Sequence, residues 1–549
     1  MNVRHTVLTC AGVLALTACS ESSAGPSPLP SCGAHGTQLS LAVGADTSLN
    51  PTTDSGCVTF AANTSPDTAE YLVLPWSGGG APGSSAPFVL QSAAPVASIS
   101  VSRLAPAPPD TRGATPLAFD HFLRELARSR RYPPVDRSAP AATTGLPQPS
   151  PAAGPPVVGS KRAFKVCANS TCSTTVNVRA VAQAVGAHIA IYIDSLAPSP
   201  GLSAADLDSL KTVFDTRLYT LDTVTFGHVS DIDSNTVVIV LMTNQVNKLT
   251  PKSQCTSGYI AGFFFPGDLD PAFAASYNNG EIFYSIVADS TGTLSCAHKP
   301  SDVRYGTPVT FTHEFQHMIS FVEHVLVRNG NSEEGWLDEG LSKYAEEIAG
   351  RSFGDNAHFS QYAFGDAYDS YQYLLATGDS PLLIPADNGT LAMVGASWLF
   401  TRYIVDQFGD SLPGKLVQTT LTGATNVAAQ TGQPFALTVS RWALANWVSD
   451  LPAFSAPTAL QYKSWHFRTT FSSLHSQDPT DFPLAYPLVP PLSAGNAVNI
   501  SGTLRTGSGE YVRAVQQAGA AAFTLHFSAN GTTAVSPSVV PRLNILRIR

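Results

Sequence analysis

Two histidines four residues apart, His313 and His317, with Glu314 directly after the first, are the residues of this chain whose types and spacing best suit chemistry. On a helix, side chains at i and i+4 stand one above the other, so both imidazoles can reach a single ion. Glu314 is turned about a quarter-circle from His313 and can address water on that ion without ligating it. The chemistry would be metal-assisted hydrolysis: the ion acidifies a water, Glu314 takes its proton and later passes it to the leaving group, and a further donor helps stabilise the oxyanion. The helix that must present these residues can be capped by Thr307 and opened by Pro308. Phe311, Phe315, Met318 and Val322 form the apolar stripe that anchors its opposite face.

A five-residue motif is weak by itself, and its context lies 22 residues beyond His317, in the stretch Trp336-Leu337-Asp338-Glu339-Gly340-Leu341-Ser342-Lys343-Tyr344-Ala345-Glu346. Here the chain resembles the gluzincin metallopeptidases, whose second helix, of the form Trp-Leu-Asn-Glu-Gly, supplies the third zinc ligand as its Glu. The resemblance implies Glu339 as that ligand, with Asp338 where the family often has Asn. Phe226-Gly227, Asp231-Ile232-Asp233, Glu281-Ile282-Phe283-Tyr284 and the segment from His313 to Ile319 look most like the hyicolysin branch. The resemblance covers about 166–450 and implies an α+β, thermolysin-like domain, a mixed sheet followed by helices, holding one catalytic Zn2+. Three protein ligands would leave a fourth position open for water, as hydrolysis requires. Asp338, Glu333 and Glu334 remain alternative ligands. Glu346, seven residues after Glu339, shares its helix face and could orient a ligand histidine, or could be a solvated acid beside Glu347. A metzincin is excluded, because Ser320 and Glu323 stand where that family needs Gly and His, and His324 is one residue late.

Gluzincins commonly bind substrate backbone along an edge strand ahead of the metal helix, and Glu281–Val287 is the candidate. The resemblance also allows an aminopeptidase in which Glu281 receives the substrate amine. The motif Gly-x-Met-Glu-Asn is missing around Glu281, which favours an endopeptidase. The family's oxyanion-donating Tyr cannot be transferred, since Ala392 holds its position; Tyr362, Tyr368, Tyr371, Tyr373 and His358 are substitutes. Asp231, Asp233 and Asn235 imitate a calcium loop, but Thr236 and Met242 fall where Gly and the closing Glu belong, so a turn opening the next strand is expected.

The wider chain reads as an exported protein. A basic Arg4, an apolar stretch from Val7 to Leu16 and then Leu16-Thr17-Ala18-Cys19 form a signal whose end resembles the bacterial lipobox, implying lipidation at Cys19, with Ser20 suiting the outer membrane. Removing residues 1–19 takes away Arg4 and no acid, so the net charge of -9 becomes -10, which argues against nucleic acid as a partner. Beyond Cys10 and Cys19, six cysteines are left for disulfides, with near neighbours pairing as Cys32 with Cys57, Cys167 with Cys172 and Cys255 with Cys296. The expected order is a signal (1–19), a small β-sandwich (20–110), a helix and Pro-rich linker (111–160), the metallopeptidase domain (161–475) and a C-terminal β domain (476–549). In the second unit's neighbour, Phe119–Arg131 is expected as an amphipathic helix with its arginines solvated. The partners implied are a peptide or protein substrate and the membrane under the lipid anchor. The rival from another class is a surface-anchored binding protein on an inactive peptidase fold.

Overall fold

Short apolar runs separated by Gly, Pro and Ser clusters form five strands near the N-terminus: β1 (Thr37–Leu39), β2 (Asp46–Leu49), β3 (Cys57–Phe60), β4 (Ala69–Ser77) and β5 (Ser85–Ser92). The helix α1 (Ala114–Ser129) follows, starting five residues earlier than its apolar spacing indicates. Strands β6 (Lys161–Cys167), β7 (Thr175–Val185) and β8 (Ile189–Asp194) come next, then helices α2 (Ala204–Val213) and α3 (Tyr219–Thr225), strand β9 (Val238–Met242), helix α4 (Asn244–Leu249), and strands β10 (Gly262–Phe264) and β11 (Ile282–Ser285). Eight helices run from there: α5 (Pro300–Phe321), α6 (Gly335–Ser352), α7 (Asn356–Leu375), α8 (Leu391–Phe408), α9 (Leu412–Val417), α10 (Gly423–Thr431), α11 (Phe435–Val448) and α12 (Phe467–Gln477). The chain closes with β12 (Leu492–Ala494), β13 (Asn499–Arg505), β14 (Val512–Gln516), β15 (Phe523–Ser528) and β16 (Pro541–Arg547). This computed structural model describes residues 32, 36–52, 55–93, 113–133, 154–385 and 389–549; the signal, Cys19, and most of the Pro-rich linker lie outside the described residues. Among the described residues no helix is long and apolar enough to cross a membrane.

The class is α+β, with a mixed six-stranded sheet in the order β10-β11-β9-β8-β7-β6. All five residues of β9 are buried, as a strand covered on both faces requires, and it pairs in parallel with β8 and β11. Helix α5 lies against this sheet through Phe311, Phe315 and Met318, all buried as their stripe predicts. It begins earlier than expected: Pro300 opens it, and Asp302 accepts a hydrogen bond from the Lys299 amide at 3.2 Å. Thr307 and Pro308 are interior, with the Thr307 hydroxyl donating to the Val303 carbonyl. Pro308 removes one rung of the helix ladder, a loss that burial of the flanking turns outweighs.

The two terminal β regions, expected as separate domains, are one sandwich. One sheet has the order β1-β3-β15-β5-β13 and the other β12-β14-β4-β16-β2, so C-terminal strands lie between N-terminal ones in both. A shared core of Phe60, Val73, Phe88, Leu525, Phe527 and Ile545 joins them. The sandwich rests on α11, where Trp76 meets Trp442 edge-on and the Tyr511 hydroxyl donates to the Ala443 carbonyl. Disulfides join Cys32 to Cys57, Cys167 to Cys172 and Cys255 to Cys296, the pairings that sequence proximity suggests.

Candidate metal centre

Helices α5 and α6 cross so that His313, His317 and Glu339 converge. The two Nε2 atoms are 3.2 Å apart, His317 Nε2 is 3.3 Å from Glu339 Oε1, and His313 Nε2 is 3.6 Å from Glu339 Oε2. Ligands about 2.0–2.1 Å from a tetrahedral zinc ion stand about 3.3 Å from one another. The three side chains therefore have the spacing of three corners of such a site. Glu339 Oε1 is buried with no hydrogen-bond partner, a costly state for a carboxylate that a cation would relieve.

Each ring is fixed from behind. His313 Nδ1 lies 2.7 Å from Glu346 Oε1, and His317 Nδ1 lies 3.0 Å from Asp338 Oδ2. A proton on each Nδ1 toward its carboxylate leaves both Nε2 lone pairs facing the centre. Glu346 thus stands where the helix-face argument puts it. The partner role of Asp338 is an addition, and it removes Asp338 from the alternative ligands. Glu333 and Glu334 are committed elsewhere: Glu333 accepts from the Gly423 amide and Asn426, and Glu334 accepts from the Trp336 indole. Burial pushes the Glu333 carboxyl up to about 8.

Close packing seats α6. A Cβ on Gly340 would lie 2.3 Å from Thr401 Oγ1 and 2.7 Å from the Ser397 carbonyl oxygen on α8, so the residue after Glu339 must be glycine for α8 to approach. Glu347 is buried and accepts from Arg351, Arg402, Trp398 and Trp465. Lys343 contacts Glu346 at 3.2 Å, Asp366 at 3.5 Å and Asp369 at 3.7 Å. Burial alone would raise the Glu346 carboxyl, but Lys343 and His313 outweigh it and hold it below the usual range.

Glu314 is 5% exposed, and its Oε2 accepts the Phe264 amide of β10 at 2.9 Å. That amide belongs to the edge strand. The strand at Glu281–Val287, expected as the edge, lies between β9 and β10 and has no free side. Glu281 accepts from Ser230 and the Ile232 amide, and its carboxylate groups with Asp231 and Asp233 and not with the histidines. Asp231, Asp233 and Asn235 accept hydrogen bonds from backbone amides of their own turn, as the turn reading expects.

The candidate oxyanion donors serve packing. Tyr362 is buried beside Phe353, Tyr368 packs edge-on against Phe482, Tyr371 exchanges hydrogen bonds with the Leu484 backbone, and Tyr373 stacks on Trp442. His358 pairs with Asp355 at 2.7 Å.

Helix α1 contributes what sequence reasoning missed. Arg124, expected on a solvated face, has a side chain only 4% exposed and lies 3.5 Å from Asp120, 3.6 Å from Asp338 and 3.9 Å from Glu314. Asp120 joins His313, His317 and Glu339 in a group whose ligand atoms all lie within 4.8 Å of one another. Two signals could have found it: the apolar positions Phe119, Leu123 and Leu126 flank Asp120 and Arg124 on the helix, and an arginine among acids suits a buried face. Among known proteins, no family model matches the chain. None of the curated proteins matches it either.

Proposed function

We propose that this chain is a zinc metallopeptidase of the gluzincin type, most similar to the hyicolysin branch, with His313, His317 and Glu339 as metal ligands and Glu314 as general base. The observation that carries the reading is the convergence of those three ligand side chains at tetrahedral spacing, with Glu314 held beside them by the Phe264 amide. Zinc held there supplies Lewis acidity, acidifying water and polarising a carbonyl. Glu314 accepts the proton of the attacking water and returns it to the leaving amine. Asp338 and Glu346 hold the two rings in register, and Arg124 keeps charge balance around Glu314 and Asp338.

An endopeptidase is favoured over an aminopeptidase, because the Glu281 carboxylate groups with Asp231 and Asp233 and not with the histidines and Glu339. The substrate would be an extracellular protein or peptide, met at the cell envelope by a chain anchored through Cys19. Zinc content and peptide cleavage test the reading together. The chain should bind one zinc, Glu339→Ala should lose it, and Glu314→Gln should keep it while failing to cleave internally quenched peptides that the parent enzyme cuts. Full cleavage by Glu314→Gln would refute the assignment, and so would unchanged zinc in Glu339→Ala.

A further inference from the structure

We propose that Asp120 is a fourth protein ligand to the metal and that α1 thereby holds the site in a latent form. The proposal rests on the zinc reading above. Its first support is position: an Asp120 oxygen lies within 4.8 Å of the ligand atoms of His313, His317 and Glu339. Its second is want of another partner. Both Asp120 carboxylate oxygens are buried with no hydrogen-bond partner, and the carboxylate faces that of Glu339, whose Oε1 is likewise unpartnered. Two carboxylates meeting in a buried site require a cation or a shared proton between them. The nearest fixed cation, Arg124 at 3.5 Å, is shared with Asp338 and Glu314.

The rest of α1 is built to stay. Phe119 packs edge-on against Phe263 of the edge strand β10, with ring centroids 5.1 Å apart, and Leu123 and Leu126 are buried. Arg130 makes a two-point pair with Asp270 at 2.7 Å, and Tyr132 sits among Phe265, Phe273 and Tyr277. The helix thus packs onto the strand beside which an extended substrate would pair, while its aspartate fills the position that hydrolysis needs open. Peptide cleavage by the chain therefore passes through a state in which residues 113–133 have moved off the site. The N-terminal β strands cannot leave with them, since β3, β4 and β5 are paired with C-terminal strands.

The test uses the full chain with cobalt(II) in place of zinc, read by its visible absorption spectrum as azide is added. A site closed by four protein ligands should ignore azide; Asp120→Ala should respond to it and should bind zinc about ten-fold or more weakly. Phe119→Asp, which loosens the helix without touching a ligand, should respond to azide as well. A parent spectrum that responds to azide as strongly as Asp120→Ala, together with equal zinc affinities, would overturn the fourth ligand while leaving the peptidase reading intact. Failure of the parent chain to bind zinc or cobalt at all would overturn both.

Discussion

Glu346 and Glu347 are neighbours on one helix, and replacing each by Gln should produce opposite signatures. Glu346 holds His313 at 2.7 Å, and Gln in its place keeps a neutral acceptor but loses the charge that makes the ring a stronger metal ligand. Partners behind a metal ligand are worth about 10–100-fold in metal affinity, or about 1.4–2.7 kcal/mol. Lys343 keeps Asp366 at 3.5 Å and Asp369 at 3.7 Å, so Glu346→Gln should cost little in the metal-free fold. Glu347 touches no ligand histidine; it holds Arg402 at 3.3 Å, Arg351 at 2.8 Å and two tryptophan indoles. Breaking a buried ion pair costs about 3–5 kcal/mol. Arg402 keeps Asp406 at 2.9 Å, and Gln keeps an acceptor for the indoles, which lowers the expected loss to about 2–3 kcal/mol. Chelator competition reads the zinc affinity, and urea unfolding of the metal-free chain reads the stability. Unchanged zinc affinity in Glu346→Gln, or a ten-fold loss in Glu347→Gln with stability intact, would refute the assignment of roles.

Three further outcomes are expected. Gly340→Ala should destabilise the chain by about 1–3 kcal/mol and weaken zinc binding, because its methyl must push α6, and Glu339 with it, away from Thr401; unfolding and chelator titrations check both. Burial pushes the Asp268 carboxyl up to about 7, against hydrogen bonds from Tyr284 and Asn278. A carboxyl raised in the folded state contributes stability that is complete below its unfolded value and lost as pH rises through about 7, here on the order of 4 kcal/mol at most. Asp268→Asn should flatten the fall in urea midpoint between pH 4.5 and 7.5, and an unchanged slope would refute this origin. Truncation before residue 492 should leave β4 and β5 without partners and β3 with β1 alone, and expose the sandwich core, so protease should digest residues 36–93 of that variant far faster than in the whole chain.

The local part of the site was legible because helix periodicity carries it. The stripe Phe311, Phe315 and Met318 sets the rotation of α5, that rotation puts both histidines on one face, and a seven-residue step puts Glu346 with Glu339. Partner choice was not. Alternation marks β15 as a strand but carries no sign that it inserts between β3 and β5, more than 400 residues away in sequence. The same limit hid which strand is the edge: β10 lies within the apolar run Tyr259–Phe265, but nothing in that run says that it pairs outside β11. Asp120 and Arg124 were hidden by a polar stripe that reads as solvated unless a second surface covers it.

Charge balance explains why Asp120 and Arg124 belong together at the site. Asp120, Glu314, Asp338, Glu339 and Glu346 bring five carboxylates around two histidines, against Arg124 and Lys343 as fixed cations. Such a surplus of buried negative charge is costly unless the site takes up a cation or protons. In the metal-free chain the surplus is met by protons: the Asp120 carboxyl is raised well above its usual range by burial and by Glu339, while His317 is held up to about 10, its burial and Arg124 being outweighed by Asp338 and Glu339. A divalent ion would displace those protons, so the acids that make the site expensive to fold empty are the same ones that would make it bind metal tightly. Arg124 fits this balance. By countering Glu314 and Asp338 from α1, it ties the latent helix to the two acids that the working site also needs, so its withdrawal changes the electrostatics of the base as well as uncovering it.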